Sequence, residues 1–201
     1  MEKAIDKMAK DIFCDFITIA IHNLLHSRQV YPSGVFKLRQ KFNVPVQVCY
    51  HPEVFSYISD LTDHIAKVLK ARKLHAVHIF IGTAHSDWEQ ITLKLLAFSQ
   101  ITTQDQLSSL QASLKTCLLK LSIIDTYLTR HATSDITWRV EVDADENEME
   151  NSNGTAWTKK GSTTSSMHQS QQAPATCGRK IIPLKTVSTD VLKLEMLAVK
   201  L

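Results

Sequence analysis

The sequence predicts an α+β fold, with three helices packed on an antiparallel sheet. Two patterns carry that reading: three long apolar stripes at helical spacing, and strand-like alternations of period two between and after them. A third observation makes it feasible. At 201 residues and 44% hydrophobic content, the chain has enough apolar surface for a real core.

The first stripe covers residues 4–28. Ile5, Met8, Ile12, Phe16, Ile19 and Ala20 fall three or four apart, and Phe13, Ile17, Ile21, Leu24 and Leu25 widen the face. A stripe that wide predicts a helix buried on most sides. "YPSG" (31–34) should stop it, because Pro32 cannot continue a helix and Gly34 suits a turn. Val44 to Val48 then alternates as a short strand, which Pro45 confines to an edge or a strand start. Pro52 fits the first turn of a second helix, with Val54, Tyr57, Ile58, Leu61, Ile65, Val68 and Leu69 as its buried face.

Leu74 to Ile81 and Ile91 to Phe98 read as a hairpin joined through "GTAHSD". The apolar phase of the second strand slips at Leu96 and Phe98, which predicts a bulge. Thr103 and Gln106 fit a capping box opening the third helix, striped by Leu107, Leu110, Leu114, Cys117, Leu118, Leu121, Ile124 and Leu128. Ile136, Trp138, Val140 and Val142 alternate with polar residues, as in a strand with one wet face. Residues 143–178 are acidic, then rich in Ser, Thr and Gln, and too polar to fold on their own. Trp157 stands alone in that stretch. Strand-like patterns return at 179–185 and 191–201.

Composition narrows function mainly by exclusion. A net charge of +3 is a weak bias, and the basic runs are short: Lys37, Arg39 and Lys41, then Lys70, Arg72 and Lys73. Both read first as solvated faces or helix ends, with direct nucleic-acid binding through the Lys37–Lys41 run as an alternative. The cysteines at 14, 49, 117 and 177 form no CxxC pair, and the N-terminal stretch lacks the apolar core of a signal peptide. An intracellular protein with reduced thiols is expected.

Catalytic chemistry finds little support. His22 and His26 share a helix face, but Asn23 follows His22 where the zinc-protease signature needs a glutamate. His75 and His78 point to opposite faces of a strand. The carboxylates Asp143, Asp145, Glu146, Glu148 and Glu150 lack the glycine and final glutamate of a calcium loop. No phosphate-binding glycine loop is present. The expectation is a non-enzyme without metal or cofactor.

Two blocks carry a resemblance. "RQVYPSGVFKLRQKFNVPVQVCYHPEVFSYI" (28–58) and "IIPLKTVSTDVLKLEM" (181–196) resemble the HORMA-domain family, in its mitotic-arrest-deficient-2-like branch. That branch includes the non-catalytic subunit of DNA polymerase zeta. The resemblance implies a single HORMA domain over residues 1–201, with a core (1–142) and a C-terminal safety-belt segment (143–201) that includes the polar loop 143–178. It implies an adaptor that clamps a proline-containing peptide of the polymerase zeta catalytic subunit under the belt, supporting translesion synthesis in the nucleus. The alternative within the family is a spindle-checkpoint protein that binds mitotic regulators.

Site residues follow from the same resemblance. Tyr31, Tyr57 and Trp157 match the aromatics that face the prolines of the bound peptide, although Tyr31 and Tyr57 also suit a half-buried core. Ile181, Glu195 and Leu197 match an interface for a scaffold polymerase of the Y family; relatives carry glutamine and tyrosine at the last two. Lys115 stands where the family uses an arginine for self-association, or for pairing with another HORMA protein. It keeps the charge without the two-pronged fork. Neither a membrane nor sequence-specific nucleic-acid binding is expected.

Overall fold

A computed structural model describes residues 2–83, 88–128, 136–145 and 180–200. The first helix, α1 (Glu2–Ser27), is the axis of the fold. Phe13, Phe16, Ile17, Ala20, Ile21, Leu24 and Leu25 are all buried along it, as its wide stripe predicts. It ends earlier than Pro32 requires. Gln29 adopts φ 54°, its amide donates to the His26 carbonyl, and the Val30 amide donates to the Leu25 carbonyl. This is a Schellman cap built on a residue that is not glycine.

A hairpin follows, β1 (Phe36–Lys41) against β2 (Val44–Cys49). Phe42 and Asn43 both take positive φ at its turn, 52° and 55°, the geometry of a two-residue type I′ connection. The sequence predicts only the second of these strands. In β1 Phe36 alone is buried, so no apolar alternation marks it; pairing with β2 makes it a strand. The valines of β2 lie on α1.

The second helix, α2 (Pro52–Lys70), starts on Pro52 and closes with another Schellman cap. There Arg72 takes φ 59° and the Lys73 amide donates to the Val68 carbonyl. The third, α3 (Gln104–Ser122), opens with the predicted capping box: the Gln106 amide donates to Thr103 Oγ1 at 3.3 Å, and the Thr103 amide to Gln106 Oε1 at 3.2 Å. Each box satisfies two donors that the first turn leaves free.

The remaining strands are β3 (Leu74–Thr83), β4 (Glu89–Phe98), β5 (Ile136–Ala144), β6 (Lys180–Ser188) and β7 (Leu192–Lys200). They form one antiparallel sheet in the order β5-β3-β4-β7-β6. Its register shifts between Leu95 and Ala97, where the broken apolar phase predicts a bulge. Val77, Ile79, Ile81, Ile91, Leu93, Val140, Leu194, Met196 and Ala198 share one buried cluster with all three helices. The last strand before the polar stretch runs past Val142 to Ala144, and the Asp145 amide donates to the Lys73 carbonyl at 3.2 Å. No described helix is long and apolar enough to cross a membrane.

Candidate peptide-binding site

The sheet ends in two edges, β5 and β6, and their chemistry differs. The β6 edge is blunted: Pro183 removes a donor, the register shifts between Pro183 and Lys185, and Lys180 and Lys185 are exposed. These features discourage strand addition. Along β5, Ile136 to Asp143 pair with β3 without interruption, and the strand has no proline. No described strand pairs with its other side. Apart from the Val140 amide, which bonds to Tyr57, that side is not paired with another described strand and can receive an extended chain.

Three aromatics converge on this edge. Trp138 stands near the start of β5. Its indole Nε1 donates to the Tyr31 hydroxyl at 2.9 Å, and its ring meets Tyr57 edge-on at 5.2 Å and 88°. Tyr31 is delivered by the cap that ends α1, and Tyr57 by the early turns of α2. Both tyrosines and the tryptophan are half-buried. Burial raises the Tyr57 phenol above its ordinary value, opposed by the Val140 amide and reinforced by Tyr31. Tyr57 therefore stays neutral at physiological pH, and the three rings stand together beside the strand.

The structure thus brings Tyr31 and Tyr57 together through Trp138, which the sequence marks only as one member of a strand alternation. Its signal was available: a large indole with a polar tip needs a partner when half-buried. Trp157 lies outside the described residues. From Tyr31 a groove of about 720 Å³ continues between the turn at Pro32, the outer side of the hairpin (Leu38, Pro45, Gln47), and His26 and Asp125. Beneath it Arg28, fully buried, donates from Nε and Nη2 to Glu89 at 3.0 and 2.9 Å, and from Nη1 to Asp125 at 2.7 Å. The end of α1 is thereby fastened to β4 and to the short turn after α3.

The connection from β5 to β6 joins opposite corners of the sheet. Ala144 at the end of β5 pairs with Leu74, at the start of β3. Lys180 pairs with Lys200, and Lys200 with Glu89, at the other end of the sheet. Five strands at ~4.8 Å spacing and about nine residues of strand put these corners roughly 35 Å apart. A chain the length of residues 146–179 can reach more than ~100 Å, enough to pass around an added strand.

The remaining candidates separate. On β7, Glu195 and Leu197 occupy alternate positions of one face, the face away from the helices; Ile181 pairs with Val199 of the same face. Ile181 is exposed. Lys115 lies on α3, beside a cleft it shares with Asp15 and the turn at Phe42 and Asn43. His22 is buried, accepts the Cys49 amide at Nδ1 (3.3 Å), and is pushed down to about 4 by burial. His75 pairs with Asp145, and His78 with Thr92 and Gln90. Among the described residues no group of three side chains is arranged to hold a metal.

No protein-family model matches the chain. It is 31% identical over 194 residues to the mitotic spindle assembly checkpoint protein MAD2B of Danio rerio, covering 94% of this chain and 90% of the relative. The human protein of the same name is 28% identical over 199 residues, with the same coverage. A shorter stretch, 37% of this chain and 35% of the relative, is 31% identical to the DNA polymerase zeta processivity subunit of Schizosaccharomyces pombe. Among solved structures, a chain of the mitotic checkpoint complex superposes with a TM-score of 0.70 at 19% identity, covering 95% of this chain and 97% of that one. The Caenorhabditis elegans protein HTP-2, bound to a closure motif of HTP-3, gives 0.64 at 12% identity, covering 94% and 84%. With three helices on an antiparallel sheet and this likeness over most of its length, the chain belongs to the MAD2B family of HORMA-domain proteins.

Proposed function

We propose that the protein is a non-catalytic adaptor subunit of a polymerase zeta type translesion DNA polymerase. It holds a proline-containing peptide of the catalytic subunit along the free edge of β5. The stretch that follows β5, from 146 to 178, closes over that peptide as a belt. The single observation that carries this reading is the open, proline-free β5 edge with Tyr31, Trp138 and Tyr57 beside it. Backbone pairing supplies affinity that is indifferent to sequence, and the aromatic faces select proline rings. A belt that must reopen before release makes dissociation slow.

The names of the relatives support the polymerase setting. One is called a DNA polymerase zeta processivity subunit, another DNA polymerase zeta subunit 2. The name of the vertebrate relatives supports a second reading, an adaptor for mitotic regulators on the same edge. Under either reading the outer sheet face around Ile181, Glu195 and Leu197 serves a second partner, a Y-family scaffold polymerase in the first case. Lys115 serves self-association, and the protein works in the nucleus.

The deciding experiment is calorimetry with peptides tiled across a polymerase zeta catalytic subunit and across mitotic regulators. One strong hit containing proline, from the polymerase, is expected. A hit only among mitotic regulators moves the protein to the second reading, and no hit in either set removes the adaptor.

A further inference from the structure

The β1–β2 hairpin carries a feature the peptide edge does not use. Lys37, Arg39 and Lys41 occupy alternate positions of β1, roughly 7 Å apart on one face, and all three are exposed. Opposite them in the register stand Val48, Val46 and Val44, whose burial fixes the hairpin to the body of the protein. Lys41 pairs with Asp15 at 3.2 Å. The other two do not meet a carboxylate among the described residues. They converge on Tyr50 instead: Lys37 Nζ lies 4.7 Å from the ring centre, Arg39 Cζ 5.4 Å, and Arg39 Nε donates to the hydroxyl at 2.8 Å.

Tyr50 is itself one ring of a column. Phe55 lies nearly parallel to it at 6.5 Å and 26°, and His22 lies beneath Phe55 at 6.2 Å and 28°. His22 is buried and neutral, so the base of the column is fixed, while Tyr50 and Phe55 are 40% and 51% exposed. Two like charges held against one ring repel each other, and an anion between them relieves that repulsion. Beside it stand two rings that are partly exposed to solvent.

We infer that this cluster binds single-stranded nucleic acid without sequence preference. Lys37 and Arg39 take backbone phosphates, and Phe55 with Tyr50 gives a base a face to stack on. Single-stranded nucleic acid repeats an anion and a flat ring in every unit, which matches both halves of the patch. An acidic peptide uses the cations and leaves the rings idle. A duplex hides its base faces. The inference is separable from the peptide clamp: it uses the hairpin and Phe55, which shares α2 with Tyr57, but none of Tyr31, Tyr57 or Trp138.

The test is fluorescence anisotropy of the full chain with a labelled dT20 oligonucleotide. Weak binding is expected, with log K falling against log salt at a slope near −1.4, the value for about two phosphates on a single strand. Lys37→Glu with Arg39→Glu should abolish it. Phe55→Leu keeps apolar burial but removes the ring, and should weaken binding about tenfold with the salt slope unchanged. Lys3→Glu with Lys7→Glu changes net charge equally on an exposed part of α1 and should leave affinity intact. The inference is overturned if that control weakens binding as much as the hairpin pair. It is overturned too if an abasic strand binds as tightly as dT20, or if polyglutamate competes equally well.

Discussion

Arg28 and Glu89 form a two-pronged ion pair at 2.9 and 3.0 Å, with side chains 0% and 2% exposed, between the end of α1 and the start of β4. The planar guanidinium matches the carboxylate, and the spare Nη1 reaches Asp125. Truncating one side of such a pair leaves a buried charge behind. Arg28→Met is expected to cost about 3–5 kcal/mol in urea unfolding. Arg28→Met with Glu89→Met should recover much of that loss; additive losses would show that shape, not charge, dominates here.

Trp138 links the two tyrosines of the peptide edge. Trp138→Phe keeps an aromatic ring against Tyr57 but loses the donation to the Tyr31 hydroxyl. The free protein should lose about 1 kcal/mol, as expected for one such bond. Affinity for the proline peptide found by tiling should fall by more than that. Equal affinity in calorimetry would remove Trp138 from the seat.

His22 gives the protein a defined acid response. Burial pushes its imidazole from the ordinary 6.5 down to about 4. Between those values the unfolded chain takes up the proton and the folded chain does not, so stability falls as pH falls. The loss should total roughly 3 kcal/mol from about pH 6.5 to 4, and be absent above 7. His22→Gln keeps an acceptor for the Cys49 amide and should flatten that slope in urea titrations at pH 7.0 and 4.5. An unchanged slope would assign the response to other groups.

Two helix caps carry removable strain. Gln29 and Arg72 hold positive φ, 54° and 59°, where glycine sits without a Cβ penalty. Arg72→Gly is expected to stabilise by about 0.5–1 kcal/mol. Gln29→Gly should gain less if the altered chain direction disturbs Tyr31. Thermal melts of the two variants read this directly.

The belt reading has its own measurement. Trp157→Ala should weaken peptide binding by ~2 kcal/mol or more, the range of an interfacial hot spot, with little change in the melting temperature of the free protein. Hydrogen exchange across 146–178 should be fast without peptide and slow most around Trp157 when peptide is saturating. Equal exchange in both states would leave the β5 edge to act alone.

Much of the fold was legible in local sequence because the local signals had few competitors. The stripe of α1, the capping box at Thr103, the bulge after Leu95 and the alternation around Trp138 each rest on period or side-chain chemistry within a few residues. Strand β1 was not legible. Lys37, Leu38, Arg39, Gln40 and Lys41 are exposed on both of its faces, and no apolar period distinguishes it from a loop. The stripe over 4–28 places the end of α1 within one residue of Ser27, but the cap at Gln29 was not legible, because it is made by backbone bonds that any residue can make.

The sequence by itself determined three helices, an antiparallel sheet and the family resemblance, with Tyr31, Tyr57 and Trp157 as aromatic candidates. Only the tertiary structure decided that Trp138 joins Tyr31 to Tyr57, that β5 rather than β6 is the open edge, and that Arg28 is shared between Glu89 and Asp125. The reason is physical. Periodicity tells which face of an element is buried, but these side-chain contacts join residues 61 to 107 positions apart, whose meeting no local window contains.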